Sequence, residues 1–96
     1  MAKKKNFTVS ITDFVYMIYI VRLITGKTPR TIFEEFLAGN IKESMIQLAL
    51  DVMDRLEADG VSIAVEGGFV YFVKTWFKKA IGNKTLLKLG PLRIKP

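Results

Sequence analysis

Helix punctuation constrains this chain more than any other feature. Gly26, Thr28-Pro29, Gly39-Asn40 and Asp59-Gly60 are spaced so that one helix closes as the next opens. Thr28 followed by Pro29 is an N-cap with proline at the first helical position, where a missing N–H costs nothing. Ile32, Phe33, Phe36 and Leu37 supply the apolar stripe of that short helix, and Gly39 ends it. Asn40 is expected to cap the next helix, with Glu43 as its box partner. That helix is predicted over 41–58, ending at Asp59-Gly60. Ile41, Met45, Leu48, Ala49, Val52 and Leu56 lie on its expected core face, widened by Ile46 and Met53. Glu43, Gln47, Asp51, Asp54 and Glu57 lie on the opposite face.

Upstream, Phe7, Val9 and Ile11 alternate with Thr8 and Ser10 as in a short strand. Ser10 and Asp13 then open a helix predicted over 11–25 and stopped by Gly26. Many of its residues are β-branched, which favours strand, but the run is too long for an ordinary strand. Tyr16, Tyr19 and Leu23 share one side of it. The apolar stretch Phe14–Val21, extended by Leu23 and Ile24 across Arg22, falls short of the roughly 20 residues of a membrane span. It is separated from the basic start Lys3-Lys4-Lys5, and no small-residue cleavage site follows. A core helix without membrane insertion is expected.

Downstream, the β-rich runs 61–66 and 69–75 flank Gly67-Gly68, the composition of a type I′ hairpin turn. A two-residue loop would pair Val65 with Val70 and Ile63 with Phe72 on a core face. Phe69 and Tyr71 would then lie on the outer face. Trp76, Phe77, Ala80 and Ile81 are spaced like one or two helical turns stopping at Gly82. Beyond them, Lys84, Lys88, Arg93 and Lys95 alternate with Leu87, Leu89, Leu92 and Ile94, interrupted by Gly90-Pro91. This pattern predicts an extended arm with apolar anchors. The 96 residues, half of them hydrophobic, suit one domain. The expected division is a basic N-terminal arm at 1–10, a domain at 11–75 and a basic C-terminal arm at 76–96.

The order helix, short helix, glycine turn, long helix and hairpin resembles a winged helix-turn-helix domain. The resemblance rests on Thr28–Gly39, Asn40–Asp59 and the wing-like Val61–Lys74. Within it, Met53-Asp54-Arg55-Leu56-Glu57-Ala58-Asp59-Gly60-Val61 is similar to the end of the third helix and entry to the wing in that superfamily. It covers residues 11–75 and implies an α+β, winged-helix-like fold of three helices and a hairpin. In such domains the third helix commonly enters the major groove. Here its exposed face is acidic and would be repelled by phosphates. The fold is expected to be shared without that reading mode.

Chemistry is bounded by composition. Without cysteine or histidine the chain has no thiol nucleophile, no imidazole base, no common zinc ligand pair and no disulfide. A reducing, cytoplasmic setting fits. Gly67-Gly68 does not precede a predicted helix, so no phosphate loop is expected, and the carboxylates of the third helix read as a solvated face rather than a metal site. No enzyme activity, cofactor or small-molecule substrate is expected.

Charge is segregated. Residues 1–30 carry a net +5, residues 31–73 a net −6 and residues 74–96 a net +7, within a total of +6. Basic ends around an acidic middle point to a polyanionic partner. Candidate nucleic-acid contacts are Lys3, Lys4, Lys5, Lys74, Trp76, Lys78, Lys79, Lys84, Lys88 and Arg93, where basic residues interleave with aromatics. Candidate protein contacts are Tyr16, Tyr19, Asp51, Asp54, Phe69 and Tyr71. The expectation is a non-catalytic subunit or accessory factor of a nucleoprotein assembly, binding DNA or RNA, with a protein partner or second copy as a further option. The alternatives are a winged-helix transcription regulator and a protein–protein adaptor that binds no nucleic acid.

Overall fold

The computed structural model describes residues 7–62 and 64–96. The elements run β1 (Phe7–Ser10), α1 (Ile11–Thr25), α2 (Pro29–Leu37), α3 (Glu43–Ala58), α4 (Gly67–Ile81), β2 (Leu87–Leu89) and β3 (Leu92–Lys95). The fold is α+β, with four helices and one three-stranded sheet in the order β1-β3-β2.

The helix starts follow their caps. Ser10 accepts a hydrogen bond from the Asp13 amide at 3.1 Å, and Thr28 accepts one from Thr31 at 3.3 Å. Gly39, at φ 73°, ends α2. Its amide donates to the Phe36 carbonyl, and the Asn40 amide donates to the Glu35 carbonyl, the paired bonds of a Schellman motif. Asn40 is therefore committed to closing α2 and does not cap α3. The N-cap of α3 is Lys42, which makes no side-chain capping bond.

Helix α1 is the hub. Phe14, Val15, Met17, Ile18, Ile20 and Val21 are all buried, a distribution that covers most of its circumference. A helix apolar nearly all round must be enclosed, and α1 touches α2, α3, α4 and the sheet. The Phe14 ring lies 5.3 Å from Phe36, 6.0 Å from Phe33 and 6.4 Å from Phe77, centroid to centroid, joining three helices. Tyr16, Tyr19 and Leu23 share one side of α1, as the spacing predicts, and that side is the less buried one.

Helix α3 meets this core through Ile46 and Ala49, with Met45, Leu50, Val52 and Met53 partly buried. Its buried face is thus rotated from the expected one. Leu48 points away and is 44% exposed. Ile46 and Leu48 are about 200° apart on a helix, so one cannot be buried deeply while the other is.

The largest departure is at 61–75. The expected hairpin is absent, and Gly67-Gly68 are the first two residues of α4. Neither has a positive φ, so neither supports a type I′ turn. Phe69, Val70, Val73, Trp76, Phe77, Ala80 and Ile81 recur at helical spacing, and Val73, Phe77 and Ile81 are buried. Burial of that stripe outweighs the β-propensity of individual residues. Phe72, expected on a core face, is 55% exposed. The pairing expected through Ile63 involves a residue outside those described.

A hairpin does form, but in the C-terminal segment. β2 and β3 are antiparallel, with Leu89 opposite Leu92 across the two-residue loop Gly90-Pro91. Gly90, at φ 62°, occupies the first loop position, which a type II′ turn reserves for positive φ. β1 pairs in parallel with β3, Phe7 opposite Leu92 and Ser10 opposite Lys95. Phe7, Val9, Leu87, Leu89, Leu92 and Ile94 turn one sheet face into the core. The expected arm boundaries accordingly fall inside packed structure: Ser10 both ends β1 and caps α1, and residues 75 and 76 are consecutive within α4.

Candidate nucleic-acid interface

The core-facing stripe of α4 determines what its other face displays. With Val73, Phe77 and Ile81 turned inward, helical periodicity places Tyr71, Phe72, Lys74, Lys78 and Lys79 outward, and all five are exposed. Tyr71 is 67% exposed. Trp76 sits at the border, half-buried. Its ring stacks on Phe72 at 6.3 Å and 23° and meets Phe33 at 5.7 Å. Tyr71 and Phe72 meet at 5.7 Å, nearly edge to face. Arg30 of α2 lies over the Trp76 ring, 5.1 Å from its centroid, and bonds Glu34 at 3.1 Å. The result is an aromatic strip, Tyr71–Phe72–Trp76, edged by Lys74, Lys78, Lys79 and Arg30.

A second basic surface follows from the pleat. When Phe7, Val9, Leu87, Leu89, Leu92 and Ile94 face inward, the alternate residues face outward. These are Thr8, Ser10, Lys88, Arg93 and Lys95. Arg93 lies between its neighbours Thr8 and Lys88, and Lys95 beside Ser10. Residues 82–86, carrying the exposed Lys84, join α4 to this sheet. No carboxylate side chain occurs anywhere in residues 67–96. The ion pairs among the described residues, Lys27–Glu35, Arg30–Glu34 and Arg55–Asp59, engage none of the seven cations from Lys74 to Lys95.

The acidic candidates lie elsewhere. Asp51 and Asp54 are exposed on α3, and Asp51 accepts a hydrogen bond from Gln47 at 2.8 Å. Among the described residues, no group of His, Cys, Asp or Glu is arranged to hold a metal ion. No helix of the described residues is long and apolar enough to cross a membrane. An open cleft of about 340 Å³ between α1 and α3 is lined by Asp13, Tyr16, Met53, Leu56 and Glu57.

The structure brings together Lys74, Trp76, Lys78 and Lys79 on α4 and Lys88 and Arg93 on the sheet. Lys3, Lys4 and Lys5 fall outside the described residues. Tyr19 and Phe69 are joined edge to face at 5.7 Å, Phe69 now being helical. Tyr16 borders the cleft, remote in sequence from Tyr71, which belongs to the basic aromatic strip.

Comparison with protein-family models, curated proteins and solved structures gives no match.

Three cationic or aromatic residues of these surfaces are absent from the sequence-based candidates. Lys95 continues the alternation of Lys88 and Arg93, so its signal was present. Phe72 was hidden by the hairpin reading, which turned it inward. Arg30 carries no local signal toward Trp76, because that contact exists only once α2 packs on α4.

Proposed function

We propose that this protein is a non-catalytic nucleic-acid-binding subunit or accessory factor that holds the phosphate backbone with the outward faces of α4 and the sheet. The supporting observation is a run of seven cations from Lys74 to Lys95, without an intervening carboxylate and without ion-pair partners among the described residues. Exposed cations without ion-pair partners release condensed counterions when they meet phosphates, the main driving force of sequence-independent binding. All but Lys84 are carried on α4 or the sheet, whose inner faces are core, so little backbone ordering cost accompanies binding.

The acidic outer face of α3 is unsuited to phosphate and, within this reading, serves contacts with a protein partner. The wing-like part of the winged-helix resemblance is lost, because Gly67–Lys74 lie in α4. What still supports that resemblance is the order α2, glycine turn and α3. A cytoplasmic nucleoprotein assembly is the setting this proposal implies.

Salt titration of affinity for a labelled duplex and a labelled single strand tests it. Replacing Lys74, Lys78 and Lys79 by alanine should weaken binding and lower the log–log salt slope, by about 0.9 per lost contact on B-DNA and about 0.7 on a single strand. Equal affinity and equal slope for parent and variant would eliminate the proposed interface.

A further inference from the structure

We infer that the α4 face is a stacking platform for single-stranded nucleic acid, so that an unpaired strand, not a duplex, is the preferred ligand. The inference rests on the nucleic-acid reading above and specifies its ligand class. Phosphate attraction alone does not account for the surface. Lysines would suffice for that, yet the two large side chains exposed between them are aromatic: Tyr71 at 67% and Phe72 at 55%. Both lie outside the core stripe of α4, and neither is needed to close it.

The arrangement suits bases with free faces. Phe72 and Trp76 are nearly parallel, at 23°, and Trp76 is backed by Phe33 and by the Arg30 guanidinium at 5.1 Å. These contacts fix the Trp76 ring, while Tyr71 and Phe72 remain exposed. Lys74 and Lys78 lie one turn apart, about 6 Å along the axis, beside Tyr71. Lys79 lies one turn beyond Trp76 on the flank of Phe72. Each aromatic thus has a cation within a turn or two, the combination that tracks a backbone while stacking its bases. A duplex offers no free base faces, only groove edges and phosphates. The helix that would occupy a groove in a winged-helix complex is α3, whose exposed face is acidic. Charge also argues against a protein or lipid occupant that lacks phosphates, because Lys74, Lys78 and Lys79 follow Tyr71 and Phe72 along α4 and no ion pair among the described residues engages them.

Trp76 is the only tryptophan, so it reports on this face directly. The experiment uses the intact chain with an oligothymidine strand, a duplex of equal length and phosphatidylserine vesicles. The expected result is tryptophan quenching by the strand, weak or no quenching by the duplex, and tighter binding of the strand. Phe72→Ala or Tyr71→Ala should lower strand affinity about 5- to 150-fold, the range of one lost stacking contact, and leave the salt slope unchanged. Lys78→Ala should lower the slope instead. Both aromatic side chains are exposed, and an unchanged far-ultraviolet circular dichroism spectrum verifies the fold. Binding of both nucleic acids with equal affinity, without quenching and without dependence on Tyr71 or Phe72, overturns the stacking inference but leaves phosphate binding intact. Absence of binding to either one at low salt overturns both. A tryptophan response to vesicles alone assigns the face to a membrane surface and also overturns both.

Discussion

Replacing Gly67 and Gly68 together by alanine should stabilise the protein. Both glycines occupy the first turn of α4 without positive φ, and a Cβ added at either meets no atom within 4 Å. Alanine then fits the native backbone and restricts the unfolded chain, which yields about 0.4–1 kcal/mol per site. The two sites are adjacent, so their gains need not add in full, and the pair should yield about 0.4–2 kcal/mol. For a domain of this size each kcal/mol raises the melting temperature by roughly 4–8 °C. Thermal and urea denaturation, followed by circular dichroism, should therefore show a clear upward shift with an unchanged m-value. A hairpin at the same position makes the opposite prediction. Positive φ at both loop residues would cost alanine about 1 kcal/mol each, so a lowered melting temperature would refute the helical start.

Phe14→Ala should cost about 3–5 kcal/mol in urea unfolding, because the ring is fully buried and joins three helices; a loss below 1 kcal/mol would contradict that role. Ile46→Ala should cost about 2–5 kcal/mol, and Leu48→Ala much less, because Ile46 is 1% exposed and Leu48 is 44% exposed. Equal losses would mean that α3 is rotated from the described phase. Gly39→Ala should lower stability by about 1 kcal/mol, since φ 73° suits glycine and the space around it is open, leaving backbone strain as the only cost. Lys88→Ala combined with Arg93→Ala should reduce the salt dependence of nucleic-acid binding and leave the melting temperature within a few degrees; an unaltered slope would exclude the sheet face from the interface.

Much of the fold was legible because its signals act within a few residues. A cap satisfies orphan amides one turn away, so Ser10, Thr28-Pro29, Gly26, Gly39 and Gly82 marked real boundaries without reference to the rest of the chain. The alternation of Lys88, Arg93 and Lys95 with Leu89, Leu92 and Ile94 announced an extended arm with apolar anchors, though not that it pairs as a hairpin, and the lysines around Trp76 announced a basic aromatic cluster. Residues 61–75 were ambiguous at that range. Their β-branched and aromatic content and the Gly-Gly pair satisfy a hairpin locally, and only the long stripe from Phe69 to Ile81, buried against α1 and α2, selects the helix. Asn40 reads as the cap of α3, and its part in closing α2 is seen only in the Schellman bond to Glu35. The phase of α3 was open because Ile46, Leu48, Ala49 and Leu50 are all apolar, and the packing of α1 determines which of them turn inward. The pairing of Phe7 with Leu92 and the placement of Arg30 over Trp76 join residues far apart in the chain. Such contacts carry no mark in either segment, because they are set by how the elements pack together rather than by what either prefers alone.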